Sequence, residues 1–207
     1  MNMNYRTFRE QWRKVGYFSI YEIKAWNPSF HADYLTRWVK DGLLLRLRRG
    51  WYVFPEFKEN PDAARIVSSV MCRPSYISLQ KALSIYEIIP EAVIDITCVT
   101  TRPTSHYENE LGHYYYSSVK PEYMFGYKPV ESQEKWVYHL AEAEKAILDF
   151  LYLFPMYKTE KDMLNLRFDE DFMEETLDVE KLNLYCERMA CSALEKRVNV
   201  LLKSYNL

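Results

Sequence analysis

The hydrophobic period changes at Gly42, and this change constrains the fold of the first fifty-four residues more than any other feature. Before Gly42, apolar residues recur at steps of three and four, whereas after it Leu45 and Leu47 alternate with Arg46 and Arg48. A period near 3.6 predicts a helix against a core, and a period of two predicts a strand. Arg49-Gly50 interrupts the alternation with a tight-turn signal. The stretch RWVKDGLLLRLRRGWYVF, 37–54, therefore predicts a helix followed by a β-hairpin.

Two further helices are predicted before this stretch. Aromatic residues at helical spacing predict the first helix over 5–14. Ser19 and Glu22 have the spacing of a capping box, which starts a second helix over about 20–26. A proline-containing turn of two or three residues then leads to the third helix, 29–41. Three helices followed by a basic hairpin are the order of a winged helix-turn-helix, in which the third helix enters the major groove.

The third helix and the hairpin carry the predicted DNA contacts. These are the residues excluded from the apolar faces: Ser29, Phe30, Asp33, Tyr34, Thr36, Arg37, Lys40, Arg46, Arg48 and Arg49. Arg37 is the best candidate for reading a base, because arginine donates two hydrogen bonds to guanine. Asp33 is expected to orient it through an i, i+4 pair, while Arg48 and Arg49 are expected to contact phosphates. The alternative is a solvated hairpin on a small helical domain.

The distribution of charge supports a division of the chain. Residues up to Phe54 include ten Lys or Arg and four Asp or Glu, a formal charge of +6. The remaining residues include seventeen Lys or Arg and twenty-five Asp or Glu, a formal charge of −8. Such asymmetry predicts a basic module that binds a polyanion beside an acidic module that does not. The connector PEFKENPDAA predicts domains over 1–57 and 58–207.

The second predicted domain is α+β, with a small sheet and surrounding helices. Strands are predicted over 93–100, 113–119 and 136–139, with a loop between the first two. Helices are predicted over 62–71, from Ser78 towards Pro90, over 144–153, and as one long or two abutting helices near the C-terminus. The helix 144–153 is apolar nearly all round, so we expect it to be buried.

Composition excludes several function classes. The five glycines permit neither a P-loop nor a GxGxxG turn, and the four cysteines and four histidines lack metal-ligand spacing. No cofactor or metal is therefore expected. His106 with Glu108, and Glu144 with Lys145, lack the nucleophile, base and orienting group of a catalytic site, so no enzymatic activity is expected. The charged N-terminal residues and the lack of a long apolar run predict a cytoplasmic protein with no membrane partner.

Several stretches of the chain resemble a known family. They are FSIYEIKAWNPSFHADYLTRWVKDGLLLRLRRGWYVF, PSYISLQKALSIYEIIPEAVIDITCVTTRPT, ENELGHYYYSSVKPEYMFGY, AEAEKAILDFLYL and LRFD. Together they resemble the AbiEi family of abortive-infection antitoxins and related transcriptional regulators, over almost the whole chain. The resemblance implies an N-terminal winged helix that binds operator repeats in double-stranded DNA and represses its own operon. It also implies a C-terminal domain that counters a nucleotidyltransferase-like toxin encoded beside it, in a type IV pair that needs no stable complex.

The expected function is therefore DNA-binding transcription regulation by the antitoxin of such a pair. A second possibility is a stand-alone repressor whose C-terminal domain binds a ligand or a protein partner. An enzyme of unknown class is the third choice.

Overall fold

The computed structural model describes residues 3–132 and 136–207, which form a mixed α/β structure with a three-stranded and a six-stranded sheet. The helices are α1 (Tyr5–Trp12), α2 (Ile20–Trp26), α3 (Asp33–Lys40), α4 (Ala63–Met71), α5 (Leu79–Ile85), α6 (Ala143–Leu153), α7 (Glu160–Asn165), α8 (Val179–Met189) and α9 (Ser192–Ser204). The strands are β1 (Tyr17–Ser19), β2 (Leu45–Arg48), β3 (Trp51–Val53), β4 (Ser75–Ile77), β5 (Ile96–Thr100), β6 (Ser105–Asn109), β7 (Gly112–Ser118), β8 (Tyr127–Glu131) and β9 (Val137–Ala141). Short 3₁₀ turns and one π-helical turn connect some of them.

The predicted hairpin is confirmed as the antiparallel pair β2 and β3. Its turn needs Gly50, whose φ of 81° lies in the left-handed region that disfavours side chains with a Cβ. The sequence did not predict β1, which pairs antiparallel with β3 and completes a sheet of order β1-β3-β2. A strand of three residues is too short to show an alternating pattern.

The predicted helix 20–26 and its capping box are confirmed in α2. The predicted start of the third helix at Ser29 and the turn of two or three residues before it are wrong, because α3 begins at Asp33. Asn27 explains the longer connection: its side-chain oxygen accepts hydrogen bonds from the Ser29 backbone N–H at 3.1 Å and from the Ser29 hydroxyl at 2.8 Å. This local turn competes with helix formation.

The second sheet has the order β6-β7-β5-β4-β9-β8 and is mixed. β4 is antiparallel to β5 and parallel to β9, while β5 is parallel to β7. With six strands it is larger than the predicted small sheet. The predicted loop between β5 and β7 is wrong in its second half, where β6 forms an edge strand against β7. Every β6 side chain is at least partly exposed, so its sequence, SHYEN, has no buried apolar face to reveal it.

Helices cover both faces of this sheet. Tyr116 of β7 donates a hydrogen bond from its hydroxyl to the Ser68 carbonyl of α4 at 2.7 Å. Tyr76 of β4 bonds Asp149 of α6, at an alternate position of the pleat and therefore on the opposite face. The helix α6 is buried along most of its length, as predicted. The C-terminal pattern corresponds to two abutting helices, α8 and α9, separated at Ala190, whose φ is 44°.

Two hydrophobic clusters lie on the two sides of the three-stranded sheet. The smaller cluster is formed entirely by residues before Phe57, with Phe8, Trp38 and Phe54 among its buried members. The larger cluster fills the rest of the chain but also includes N-terminal residues: Leu45, Leu47, Val53 and Phe57. The division at 57/58 remains a prediction, and an apolar seam crosses it. One face of the hairpin is therefore covered by the second part of the chain.

Candidate nucleic-acid interface

The helix α3 exposes the side chains of Asp33, Thr36, Arg37 and Lys40. Tyr34 lies beside them and is half-buried, with its ring stacked on that of Trp38 at 5.6 Å between centroids. The guanidinium of Arg37 lies 5.2 Å from the Tyr34 ring centroid, within the range of a cation–π contact. The exposed side of α3 therefore has two cations, one carboxylate and a hydroxyl around a partly exposed aromatic ring.

The predicted ion pair between Asp33 and Arg37 does not form in the structure. Among the ion pairs of 3–132 and 136–207, neither residue has a partner. Arg37 instead lies over Tyr34, three residues earlier on the same helix. A planar guanidinium packs well on an aromatic ring, and an exposed i, i+4 pair contributes only about 0.3 to 0.5 kcal/mol.

Arg46 and Arg49 are exposed on the hairpin, Arg46 in β2 and Arg49 in the turn. The backbone N–H of Ile20 donates to the Gly50 carbonyl at 2.9 Å, so the start of α2 lies beside this turn. Tyr21, the next residue of α2, is 81% exposed. Tyr21 was not among the predicted DNA contacts. Its position directly after the start of α2, outside the apolar spacing of that helix, was the available signal.

Phe30 was predicted to contact DNA from the exposed side of the third helix, but the structure buries it. It is 4% exposed, and its ring lies 5.8 Å from that of Phe8 and 6.1 Å from that of Trp38, centroid to centroid. The chain before α3 is not helical, so the 100° spacing that put Phe30 opposite Trp38 does not apply there. Ser29 is exposed, but it lies in the loop rather than on the helix.

Arg48 was predicted as an exposed phosphate contact, but it is half-buried. The pairing of β2 with β3 shifts register between Arg46 and Arg48, as in a β-bulge. A bulge re-aims the side chains that follow it, and Arg48 instead lines a cavity shared with Arg73 and Arg102. The exposed cations of the predicted surface are therefore Arg37, Lys40, Arg46 and Arg49. None of them has an ion-pair partner within the described part of the chain. We call these four the cationic face.

A separate polar cluster lies in the centre of the second part of the chain, where Lys145 and Asp149 of α6 are both fully buried and form an ion pair. The Asp149 carboxylate also accepts hydrogen bonds from the hydroxyls of Tyr76 and Ser78, each at 2.8 Å. Lys145 donates to the Tyr76 hydroxyl at 2.9 Å. Burial, and then the Asp149 charge, raise the pKa of Tyr76 well above its ordinary value, so its phenol stays protonated and donates. We call these four side chains the buried network.

The buried network is closed to substrates, because Lys145 and Asp149 expose no surface. Each of its four side chains has a hydrogen-bond partner within the network, which joins α6 to β4 and to the residue that follows β4. In residues 3–132 and 136–207, no group of three or more His, Cys, Asp or Glu side chains has the geometry of a metal site. The same ranges contain no helix of the length and apolarity that crossing a membrane requires. No protein-family model matches the chain, and a search of curated proteins returns no match either.

Proposed function

We propose that this protein is a transcription regulator that binds double-stranded DNA through its N-terminal part, used as a winged helix-turn-helix. The observation that carries the proposal is the cationic face: four exposed cations on α3 and the hairpin, without ion-pair partners among the described residues. Cations left unpaired in this way are free to replace the counterions of a phosphate backbone. The net charge of +6 up to Phe54 adds long-range attraction.

In this mode α3 enters the major groove, which is about 12 Å wide, and the hairpin contacts the backbone beside it. Arg37 is the base-reading candidate, and Arg46 and Arg49 are the phosphate contacts. The Tyr21 hydroxyl at the start of α2 is a further phosphate contact, because α2 begins beside the hairpin turn. Three residues close to Arg37 in the sequence add polar contacts to the DNA: Ser29, Thr36 and Tyr34, the last through its ring edge.

The test compares two fourfold alanine variants of the full chain in gel-shift titrations over a range of salt concentrations. The first removes the cationic face. The second removes four exposed lysines of the acidic part that form no ion pair among the described residues: Lys128, Lys158, Lys161 and Lys196. Both variants change the net charge equally, so a difference between them reports position rather than total charge.

We expect the first variant to bind the DNA upstream of its gene far more weakly than the wild type does. We also expect its plot of log affinity against log salt to be shallower by about 0.9 for each phosphate that the variant no longer neutralises. The lysine variant should bind as the wild type does. Equal affinity of both variants and the wild type, with unchanged circular dichroism, would contradict the proposal.

The resemblance extends the proposal to the antitoxin of a type IV pair, which counters a nucleotidyltransferase-like toxin. One observation supports this extension: PSYIS and EKAILDFLY, nearly seventy residues apart, supply all four members of the buried network. Two of the stretches that resemble the AbiEi family thus contact each other in the buried network. Co-expression with the product of the adjacent gene is the test. Restored growth is expected if that product is such a toxin.

A stand-alone regulator whose second part binds a ligand is the alternative function. It is favoured by the cavity that Arg48, Arg73 and Arg102 line. A toxin gene beside this gene supports the antitoxin, and a metabolic gene supports the stand-alone regulator.

A further inference from the structure

A cavity of about 600 Å³ lies at the seam between the hairpin and the edge of the six-stranded sheet. Its charged lining consists of Arg48 of β2, Arg73 after α4 and Arg102 after β5, and no carboxylate of the described residues lines it. Trp51 and Tyr107 provide aromatic wall on the two sides of the seam. Small-molecule sites commonly have volumes of about 300 to 1,000 Å³. The cavity therefore has the size of a ligand site and a charge of one sign.

The Nε atoms of the three arginines have different environments. Arg73 donates from Nε to the Ser69 carbonyl at 3.1 Å, and Arg102 donates from Nε to the Arg73 carbonyl at 3.1 Å. These bonds fix the Arg73 guanidinium at the end of α4 and the Arg102 guanidinium beside the backbone of Arg73. The Nε of Arg48 is buried and has no hydrogen-bond partner among the described residues. A buried donor without an acceptor costs free energy that a bound anion would recover.

The terminal nitrogens of all three guanidinium groups form no hydrogen bond to any residue of 3–132 or 136–207, and no ion pair neutralises them there. Arg73 instead lies 5.9 Å from the Trp51 ring centroid. Three like charges in one cavity repel each other unless an anion is bound. Guanidinium groups bind phosphate oxygens through paired hydrogen bonds.

The geometry points to a binding site for a phosphorylated small molecule with a planar ring, of the size of a mononucleotide. The phosphate accepts hydrogen bonds from Arg48, Arg73 and Arg102, and the ring packs on the aromatic wall. Binding to this site does not require DNA, and none of the three arginines that line it belongs to the cationic face. The Asn109 side chain of β6 donates to the Leu47 carbonyl at 3.1 Å and fixes the hairpin against the sheet. A ligand in this seam contacts both parts of the chain.

The experiment uses the full chain with inorganic phosphate, adenosine monophosphate and adenosine as probes, in isothermal titration calorimetry at low ionic strength. We expect adenosine monophosphate to bind more tightly than inorganic phosphate, and adenosine to bind at least tenfold more weakly than the monophosphate. If inorganic phosphate bound more tightly than adenosine monophosphate, the proposed packing of the ring on the aromatic wall would be overturned. Failure of all three probes to bind at millimolar concentrations would overturn the site.

Three variants test the residues. Arg102→Gln and Arg73→Gln should each lower the affinity for adenosine monophosphate by tenfold or more, because each removes charge-assisted hydrogen bonds. The matched control is Lys196→Gln, which removes one exposed cation from α9 and should leave the affinity unchanged. Equal affinities of the wild type, Arg102→Gln and Lys196→Gln would overturn the assignment.

Arg48→Met separates a ligand role from a structural one. It should abolish binding while leaving the melting temperature of the free protein unchanged or higher, since it removes a buried donor that lacks an acceptor. A large drop in melting temperature would show that Arg48 is structural and would overturn its part in the site. Weaker DNA binding by Arg102→Gln, without any binding of adenosine monophosphate to the wild type, would assign the cavity to DNA instead.

Discussion

Phe30 and Arg48 show how far the position of one side chain can depart from its place in a sequence pattern. Phe30 follows the exposed Ser29, yet its ring packs against those of Phe8 and Trp38. Arg48 continues the alternation that exposes Arg46, yet a bulge directs it into a cavity. Helical and strand periods assume regular backbone, and both residues lie where the backbone departs from it.

Replacing Phe30 with alanine should destabilise the protein by about 3 to 5 kcal/mol, because it removes a buried aromatic side chain and leaves a cavity. Phe30→Leu keeps most of the apolar volume and should cost less, without weakening DNA binding at temperatures where the protein is folded. Urea denaturation and gel shifts measure the two effects. A Phe30→Ala protein of wild-type stability that no longer bound DNA would place Phe30 at the interface after all.

At the scale of elements, the signals that predicted correctly were local and chemical. Ser19 and Glu22 predicted the start of α2 because their mutual bonds need only residues within one turn. The turn at Gly50 and the apolar helix α6 were likewise predictable. The missed strands β1, β4, β6 and β8 are short or lie at an edge, and β1 and β4 pair with segments that are distant in the sequence. No local pattern encodes the Tyr17 to Val53 register.

The capping box of α2 gives a prediction at this scale. Ser19→Ala should lower the free energy of unfolding by about 0.5 to 2 kcal/mol, because the backbone N–H of Glu22 loses its acceptor at 3.2 Å. Ser29→Ala is the matched control, since Ser29 is exposed and bonds only within its own turn. Chemical denaturation of both variants measures the difference. A Ser29→Ala effect as large as that of Ser19→Ala would contradict this account.

Across the whole molecule, α6 and β4 are joined by a charged pair in an apolar interior. Desolvating Lys145 and Asp149 is costly, and their contact offsets that cost only while both charges remain and the hydroxyls bond them. Asp149→Leu should therefore cost about 3 to 5 kcal/mol, because Lys145 is left buried without its counter-charge.

The double variant Lys145→Met with Asp149→Leu should be markedly more stable than Asp149→Leu, since it leaves no isolated charge. Urea denaturation of the single and double variants forms the measurement, with binding to DNA as a check that the N-terminal part remains folded. A double variant less stable than Asp149→Leu would indicate that Lys145 is held by other groups, such as Tyr76 and the Phe125 ring over which it lies.

The seam between the two parts of the chain could not be predicted from composition. The charge division and the connector placed a boundary near Lys58, and the smaller hydrophobic cluster does end before Phe57. The sequence could not tell that Leu45, Leu47 and Val53 face the second cluster, because alternation shows that a strand face is buried but not what covers it.

This seam predicts the behaviour of the fragment 1–57. Removing the rest of the chain exposes four apolar side chains that are otherwise buried in the larger cluster: Leu45, Leu47, Val53 and Phe57. Together they form an apolar patch of the kind that promotes association. We expect the fragment to self-associate and to melt at a temperature well below that of the full chain. Its self-association masks any weak DNA binding by its basic residues. Replacing Leu45 and Leu47 with threonine should restore a monomer, since threonine suits a strand and is polar. Light scattering and circular dichroism measure both properties. A monomeric wild-type fragment that melts at the temperature of the full chain would show that the seam contributes nothing to the fold, and that the two parts are independent.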